Sequence, residues 1–157
     1  MNCISPSPEQ TQRLGRALGE SANVGDVILL VGDLGAGKTT LTQGIAWGLG
    51  VAEYAVSPSF VLVRQYQGRL PLYHVDLYRL ENVAEIGDLG LDEYFYGKGV
   101  SVVEWADRGL VLLPPEHLLV KIELVGETER VLHLQPKGKR YEKLVEALAD
   151  LCEIQKD

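Results

Sequence analysis

Residues 27–39 read VILLVGDLGAGKT, and they join an apolar run to a complete G-x-x-x-x-G-K-T phosphate-binding loop. A helix-prone stretch, 40–49, follows, so the loop has a strand before it and a helix after it, as this motif requires. Glycines let consecutive backbone N–H groups turn onto phosphate oxygens, and the N-terminus of the next helix adds a partial positive charge. Lys38 is expected to reach the outer phosphates, and the Thr39 hydroxyl to ligate Mg²⁺. The stretch therefore predicts an α/β fold that binds a nucleoside triphosphate.

The rest of the chain predicts helices that alternate with strands, with two antiparallel strand pairs inserted. Helices are expected over 8–20, with Ser7 as the N-cap and Pro8 at the first position, and over 38–49 and 139–153. Strands are expected over 26–31, 60–66, 70–78, 99–104, 118–125 and 130–135, and short helical turns over 83–96. The prediction is one domain, 1–157, with a P-loop NTPase-like three-layer fold whose helices flank a mixed central sheet.

Length, charge and cysteine content limit the classes of function. The 157 residues suffice for one domain with a core of its own. The net charge of −7 disfavours direct, high-affinity binding of nucleic acid, which usually needs a basic face. No apolar stretch approaches the ~18–20 residues that cross a bilayer, and no secretory signal is apparent, so we expect a cytoplasmic protein without membrane contact. Cys3 and Cys152 are expected to be free thiols in a reducing compartment.

Hydrolysis of a triphosphate also needs an acidic contact for the metal. Two carboxylates follow apolar runs at predicted strand ends, Glu104 after VSVV and Asp76 after LYHV. Strand-end acids in open α/β sheets face the ligand crevice, although either side chain could instead cap a helix or pair with an arginine. Glu104 follows the more apolar run and is therefore the preferred metal ligand.

Polar and aromatic residues elsewhere leave more than one interpretation open. Ser57 and Ser59 lie on a proline-stiffened loop that is either a switch sensing the γ-phosphate or an ordinary turn. Trp105 directly follows Glu104, and by residue type alone it is a packing residue. Arg79 and Arg108 could stabilise charge at the γ-phosphate, contact a partner or form surface ion pairs.

Four sequence blocks stand in series: GDLGAGKTT at 32–40, SPSF at 57–60, HVDLYR at 74–79 and VEW at 103–105. Together they resemble the TsaE (YjeE) family, small bacterial ATPases that act in making N6-threonylcarbamoyladenosine on tRNA. The loop alone is shared by very many proteins, but the other three blocks in this order are far more specific. The similarity runs from about residue 9 to residue 141, nearly the whole chain.

The resemblance implies ATP and Mg²⁺ as ligands. It places the phosphates on the amides and side chains of Gly35, Ala36, Gly37, Lys38, Thr39 and Thr40, with Thr11 and Arg130 also near the nucleotide. It implies that Thr39 and Glu104 flank Mg²⁺ and that Asp76 is a second acid that could order a water molecule. Lys38, Asp76 and Glu104 are then the expected catalytic residues.

The resemblance also assigns the residues whose roles were open. Ser57 and Ser59 become switch residues, although the family usually has Thr where this chain has Ser59, which keeps the hydroxyl. Trp105 is placed near the site or the partner surface, together with the candidates Arg79 and Arg108.

The family's activity implies slow ATP hydrolysis by the chain alone, coupled to two partners, the TsaB and TsaD subunits, with tRNA contacted only indirectly. Two other functions remain open. A small-molecule kinase would need a second substrate pocket, and a nucleotide-sensing module would use ATP to set a binding-competent shape without turnover. The chain has no Asn-Lys-x-Asp element for guanine and no Leu-Ser-Gly-Gly-Gln signature, which argues against a GTPase and a transporter ATPase.

Overall fold

A computed structural model describes residues 1–33, 35–53, 55, 63–80 and 82–152. Its strands are β1 (Asn2–Ser5), β2 (Val27–Gly32), β3 (Val63–Tyr66), β4 (Leu72–Asp76), β5 (Val100–Glu104), β6 (His117–Leu124) and β7 (Arg130–Lys137). Its helices are α1 (Pro8–Ser21), α2 (Lys38–Gly48), α3 (Val83–Gly87), α4 (Asp92–Phe95) and α5 (Lys139–Glu146). Two short 3-10 turns, Ala106–Arg108 and Leu110–Leu112, follow β5.

The strands form one sheet in the order β1-β7-β6-β2-β5-β4-β3. The four middle strands, β6, β2, β5 and β4, run parallel, and β3, β7 and β1 pair antiparallel at the two edges. The predicted mixed sheet is therefore confirmed. Because the carboxyl ends of the four parallel strands lie on the same side of the sheet, the residues that follow these strands are brought together there.

Helices cover both faces of the sheet, which confirms the three-layer arrangement. Ile28 of β2 packs in a core with Leu14 of α1, Leu41 of α2 and Leu144 of α5. The next residue, Leu29, faces the opposite side, in a second core that includes residues of α3 and α4. This alternation along β2 follows from the two-residue period of side chains in a strand.

Glycines let α1 and α2 pack with their backbones in direct contact. A Cβ atom on Gly15 of α1 would collide with the Leu41 carbonyl, and one on Gly44 of α2 would collide with the Gln12 carbonyl. Gly19 and Gly48 make equivalent close approaches one turn further along. The helix after the phosphate loop is therefore held against α1 at a distance that only glycine allows.

The two ends of the chain differ from the sequence prediction. The last helix ends at Glu146, whereas the apolar pattern predicts helix to residue 153. After Glu146 the chain continues in tighter turns, in which Leu148 N donates to Val145 O and Ala149 N donates to Glu146 O. Leu148 and Cys152 still pack against the same core as Leu144, so the apolar pattern did not reveal that the α-helix ends at Glu146. Strand β1 was also not predicted, because it is short and gains its hydrogen bonds from β7, which is distant in sequence.

Cys3 and Cys152 form a disulfide, so the prediction of two free thiols is wrong. Cys3 is fully buried on β1, and the turns after α5 bring Cys152 to it. Their sequence separation of 149 gave no spacing signal, because the two cysteines come together only in the tertiary structure. None of the helices in the described part of the chain is long and apolar enough to cross a membrane.

Candidate active site

The phosphate-binding loop connects β2 to α2 and uses two glycines with left-handed backbone angles. Gly35 has φ 80° and Gly37 has φ 110°, values at which a side chain would be strained. Gly37 is the N-cap of α2, and its carbonyl accepts the first helical hydrogen bond, from Leu41 N. The free N–H groups at the start of α2 therefore point towards the loop, as an anion site requires.

A cavity of about 410 Å³ lies over this loop. Most of the predicted site residues line it, together with one residue that was not predicted, Tyr78: the lining is Gly35, Gly37, Lys38, Thr39, Thr40, Asp76, Tyr78, Arg79, Glu104 and Trp105. The phosphate loop, the carboxylates of Asp76 and Glu104, and the rings of Tyr78 and Trp105 therefore line the same cavity.

The two carboxylates lie side by side because their strands are neighbours in register. Asp76 of β4 is paired with Glu104 of β5, and Glu104 is paired on its other side with Leu30 of β2. Both acids are nearly buried, with 6% and 2% of their surface exposed. Asp76 Oδ1 accepts a hydrogen bond from Tyr78 N at 2.9 Å, which fixes this carboxylate at the strand end.

Thr39 and Glu104 are in direct contact. The Thr39 hydroxyl donates to the two carboxylate oxygens at 3.0 and 3.3 Å. A hydroxyl and two carboxylates are hard oxygen donors, which suit Mg²⁺. The described residues contain no group of three or more His, Cys, Asp or Glu side chains that could hold a metal alone. The donor set therefore fits a Mg²⁺ ion that completes its coordination with phosphate oxygens and water.

Lys38 is folded back onto its own loop. Its ammonium donates to Gly32 O at 2.6 Å and Asp33 O at 2.8 Å, and only 5% of the residue is exposed. Burial lowers the pKa of Lys38 below its usual value, and the nearby carboxylates, Glu104 foremost, partly oppose this. A positive charge held this way is partly desolvated and is positioned for an anion in the cavity.

Trp105 covers the Lys38 ammonium and has an unusual backbone. The ammonium lies 3.9 Å from the ring centroid, a cation–π contact. Trp105 has φ 59°, and it is the one non-glycine with positive φ among the residues described. Tyr78 packs against the same ring, with the centroids 4.8 Å apart and the ring planes tilted by 42°. A bulky residue in this conformation is unfavourable, and such strain concentrates at functional sites.

Thr11 and Arg130 line a second, smaller pocket of about 70 Å³ that shares Gly35, Gly37 and Thr40 with the main cavity. The Thr11 hydroxyl lies 2.6 Å from Ser5 Oγ and is nearly buried. Arg130 donates from Nε to Ala36 O at 3.0 Å and from Nη1 to carbonyls of the β6–β7 turn. Arg130 therefore ties the phosphate loop to that turn.

The two other arginine candidates are exposed, and they are placed differently. Arg79 lines the main cavity. Arg108 does not line it; its guanidinium donates to Leu80 O at 3.2 Å and lies over the rings of Tyr78 and Trp105, at 5.5 and 5.9 Å. The switch candidates Ser57 and Ser59 lie outside the described residues.

His74 is a further residue of the site that was not predicted from the sequence. His74 is completely buried on β4, and its Nε2 contacts Glu104 Oε2. The available signal was its place two residues before Asp76 in a strand that is otherwise mostly apolar. Alternation along the strand places both side chains on the same face of the sheet.

Comparison with known proteins gives a consistent result. The family model described as threonylcarbamoyl adenosine biosynthesis protein TsaE matches residues 5–132. A Bacillus subtilis protein named tRNA threonylcarbamoyladenosine biosynthesis protein TsaE is 47% identical over 144 residues, 91% of this chain and 90% of the relative. A Treponema pallidum protein of the same name is 40% identical over 130 residues, 83% of this chain and 96% of the relative. The crystal structure of Bacillus subtilis YdiB superposes with a TM-score of 0.84 at 42% identity, covering 96% of this chain and 94% of that one.

Proposed function

Because the chain belongs to the TsaE family of threonylcarbamoyl adenosine biosynthesis proteins, we propose that it is the ATPase component for forming N6-threonylcarbamoyladenosine on tRNA. Its ligands are ATP and Mg²⁺, and its partners are the TsaB and TsaD subunits. The acidic character of the chain, with a net charge of −7, supports contact with tRNA only through these partners.

The observation that carries the proposal is the contact between Thr39 and Glu104, with Asp76 paired beside them. The Thr39 Oγ1 and Glu104 Oε1 atoms lie 3.0 Å apart at the start of α2, next to the loop that would hold the phosphates. A hydroxyl from the loop and a carboxylate from an adjacent strand are the protein ligands that P-loop enzymes give to Mg²⁺. Simple nucleotide binding does not require a second buried acid, so Asp76 favours turnover over sensing.

Different residues bind the phosphates, hold the metal and orient the attacking water. The amides from Gly35 to Thr40 bind the phosphate oxygens, and Lys38 leaves the carbonyls of Gly32 and Asp33 to pair with the outer phosphates. Thr39 and Glu104 would hold Mg²⁺, which would supply charge neutralisation for the phosphates. Asp76, fixed by Tyr78 N, accepts a hydrogen bond from the attacking water and orients it.

A reconstituted tRNA modification reaction tests this function. Purified TsaB, TsaD, tRNA and the precursor of the threonylcarbamoyl group are combined with the wild-type chain, Glu104→Ala or Glu142→Gln. Glu142 is an exposed carboxylate on α5 that does not line the cavity, so its variant is the matched control. We expect modification with wild type and Glu142→Gln, and loss with Glu104→Ala or with a non-hydrolysable ATP analogue.

The same experiment separates the alternatives. If the non-hydrolysable analogue supports full modification, the chain is a nucleotide-sensing module and hydrolysis is not required. If the γ-phosphate is recovered on a small molecule instead of as inorganic phosphate, the chain is a kinase. Either result would contradict the proposed function.

A further inference from the structure

The carboxylate of Glu104 is held from two sides. Its Oε1 atom accepts from the Thr39 hydroxyl at 3.0 Å, on the side of the phosphate loop. Its Oε2 atom contacts Nε2 of His74, inside the protein. A carboxylate can only accept hydrogen bonds, so Nε2 of His74 carries the hydrogen and donates it.

His74 is poorly explained as an ordinary core residue. On β4, Leu72 and Val75 are fully buried, and His74 between them has no exposed surface. Its other ring nitrogen, Nδ1, has no hydrogen-bond partner within the described part of the chain. A buried polar atom without a partner reduces stability, whereas leucine at this position would avoid that loss. The histidine therefore contributes something that packing alone does not require.

We propose that His74 is a positioning residue: it fixes the rotation of the Glu104 carboxylate so that one oxygen is presented to Mg²⁺ beside Thr39. The inference rests on the proposed function, in which Glu104 is a metal ligand. Without His74, the other donor near Oε2 among the described residues, besides Thr39, is the Thr42 hydroxyl at 3.5 Å, which already donates to Lys38 O at 2.9 Å. That hydroxyl cannot replace the ring, so Oε2 would be left with the 3.3 Å contact to Thr39 and the carboxylate would be held more loosely.

Partners that orient a ligating carboxylate typically change metal affinity or activity by about 10–100-fold when they are removed. Three substitutions separate this role from packing. His74→Leu keeps the bulk and removes the donor. His74→Gln places an amide nitrogen about as far from the backbone as Nε2, and His74→Asn carries an amide that is too short to reach Glu104.

The experiment measures nucleotide affinity by titration calorimetry, with ADP and a non-hydrolysable ATP analogue, across a Mg²⁺ series and in excess chelator. Mg²⁺ is expected to increase the affinity for nucleotide. For His74→Leu and His74→Asn, we expect the Mg²⁺ concentration that gives half of this increase to rise about 10–100-fold. Affinity in chelator should remain within about twofold of wild type, because the loop contacts are intact. His74→Gln should restore the Mg²⁺ dependence to within a few-fold of wild type. If His74 had only a structural role, its substitution would change the affinity for nucleotide equally in Mg²⁺ and in chelator.

Glu104→Ala in the same titration keeps failure of this inference distinct from failure of the proposed function. If Glu104→Ala loses the Mg²⁺ gain while His74→Leu and His74→Asn keep it, the positioning role is overturned and the metal assignment stands. If Glu104→Ala keeps the gain, the metal assignment itself is wrong. Should His74→Leu fail to fold, the Gln and Asn variants decide: equal Mg²⁺ dependence in these two overturns the inference.

Discussion

The Lys38 ammonium lies 3.9 Å from the centre of the Trp105 ring, and both side chains line the cavity over the phosphate loop. A phosphate group in that cavity offers Lys38 charge-assisted hydrogen bonds that are stronger than those it makes to the Gly32 and Asp33 carbonyls. Nucleotide binding should therefore draw the ammonium away from the ring. Through the contact with Lys38, the binding of a nucleotide to the loop should change the environment of Trp105.

Trp105 fluorescence should report this movement. We expect a change in intrinsic fluorescence when ATP binds, because the ring loses its neighbouring cation. The change should persist in Trp47→Phe, which removes the other tryptophan, on α2 and 39% exposed. It should be absent in Trp105→Phe. A signal that disappears with Trp47 and survives in Trp105→Phe would show that the Lys38–Trp105 contact does not respond to nucleotide.

The glycine contact between α1 and α2 should be intolerant of a methyl group. Gly44→Ala places a Cβ atom against the Gln12 carbonyl, so we expect the free energy of unfolding to fall by about 1–3 kcal/mol. This expectation opposes the gain that alanine usually brings inside a helix, about 1 kcal/mol. Urea unfolding measures the difference.

Gly87→Ala is the control for that substitution. Gly87 ends α3, and the nearest atom to its added Cβ is Leu112 Cδ1 at 3.8 Å, an ordinary contact. Its free energy of unfolding should be unchanged or slightly raised. If Gly44→Ala is as stable as wild type, the two helices are further apart than the structure has them.

The disulfide between Cys3 and Cys152 should stabilise the fold, because it closes a loop across 149 positions of the chain. Removing it should lower the free energy of unfolding by about 2–5 kcal/mol. Denaturant unfolding of wild type with and without a reducing agent measures this loss. Cys152→Ser should equal the reduced wild type and be insensitive to the reductant. Wild-type stability that is independent of the reductant would mean that the bond does not form in solution.

The parts of the fold that depend on local sequence were predictable. The phosphate loop and α2 follow from the glycine spacing and the lysine. The N-cap of α1 was predicted at Ser7, and the structure has Ser7 Oγ accepting from Gln10 N at 3.2 Å. Glu104 and Asp76 could be placed at one sheet edge because parallel strands end together.

The features that escaped prediction arise from contacts between distant parts of the chain. Strand β1 exists because β7 is available to pair with it, and the Cys3–Cys152 bond depends on that pairing. The contact between His74 and Glu104 depends on the register that places β4 beside β5, which the sequence of β4 does not contain. The left-handed backbone of Trp105 was not predictable either, because a tryptophan rarely adopts a positive φ.

In the proposed function, Lys38 holds the phosphates, whereas Glu104 acts with Mg²⁺ in turnover. The most direct measurement is ATP binding and phosphate release, in parallel, for Lys38→Ala and Glu104→Ala in the presence of Mg²⁺. We expect that Lys38→Ala binds no detectable ATP, and that Glu104→Ala still binds ATP but releases no phosphate above background. Glu104→Ala hydrolysing ATP at the wild-type rate would contradict this role of Glu104.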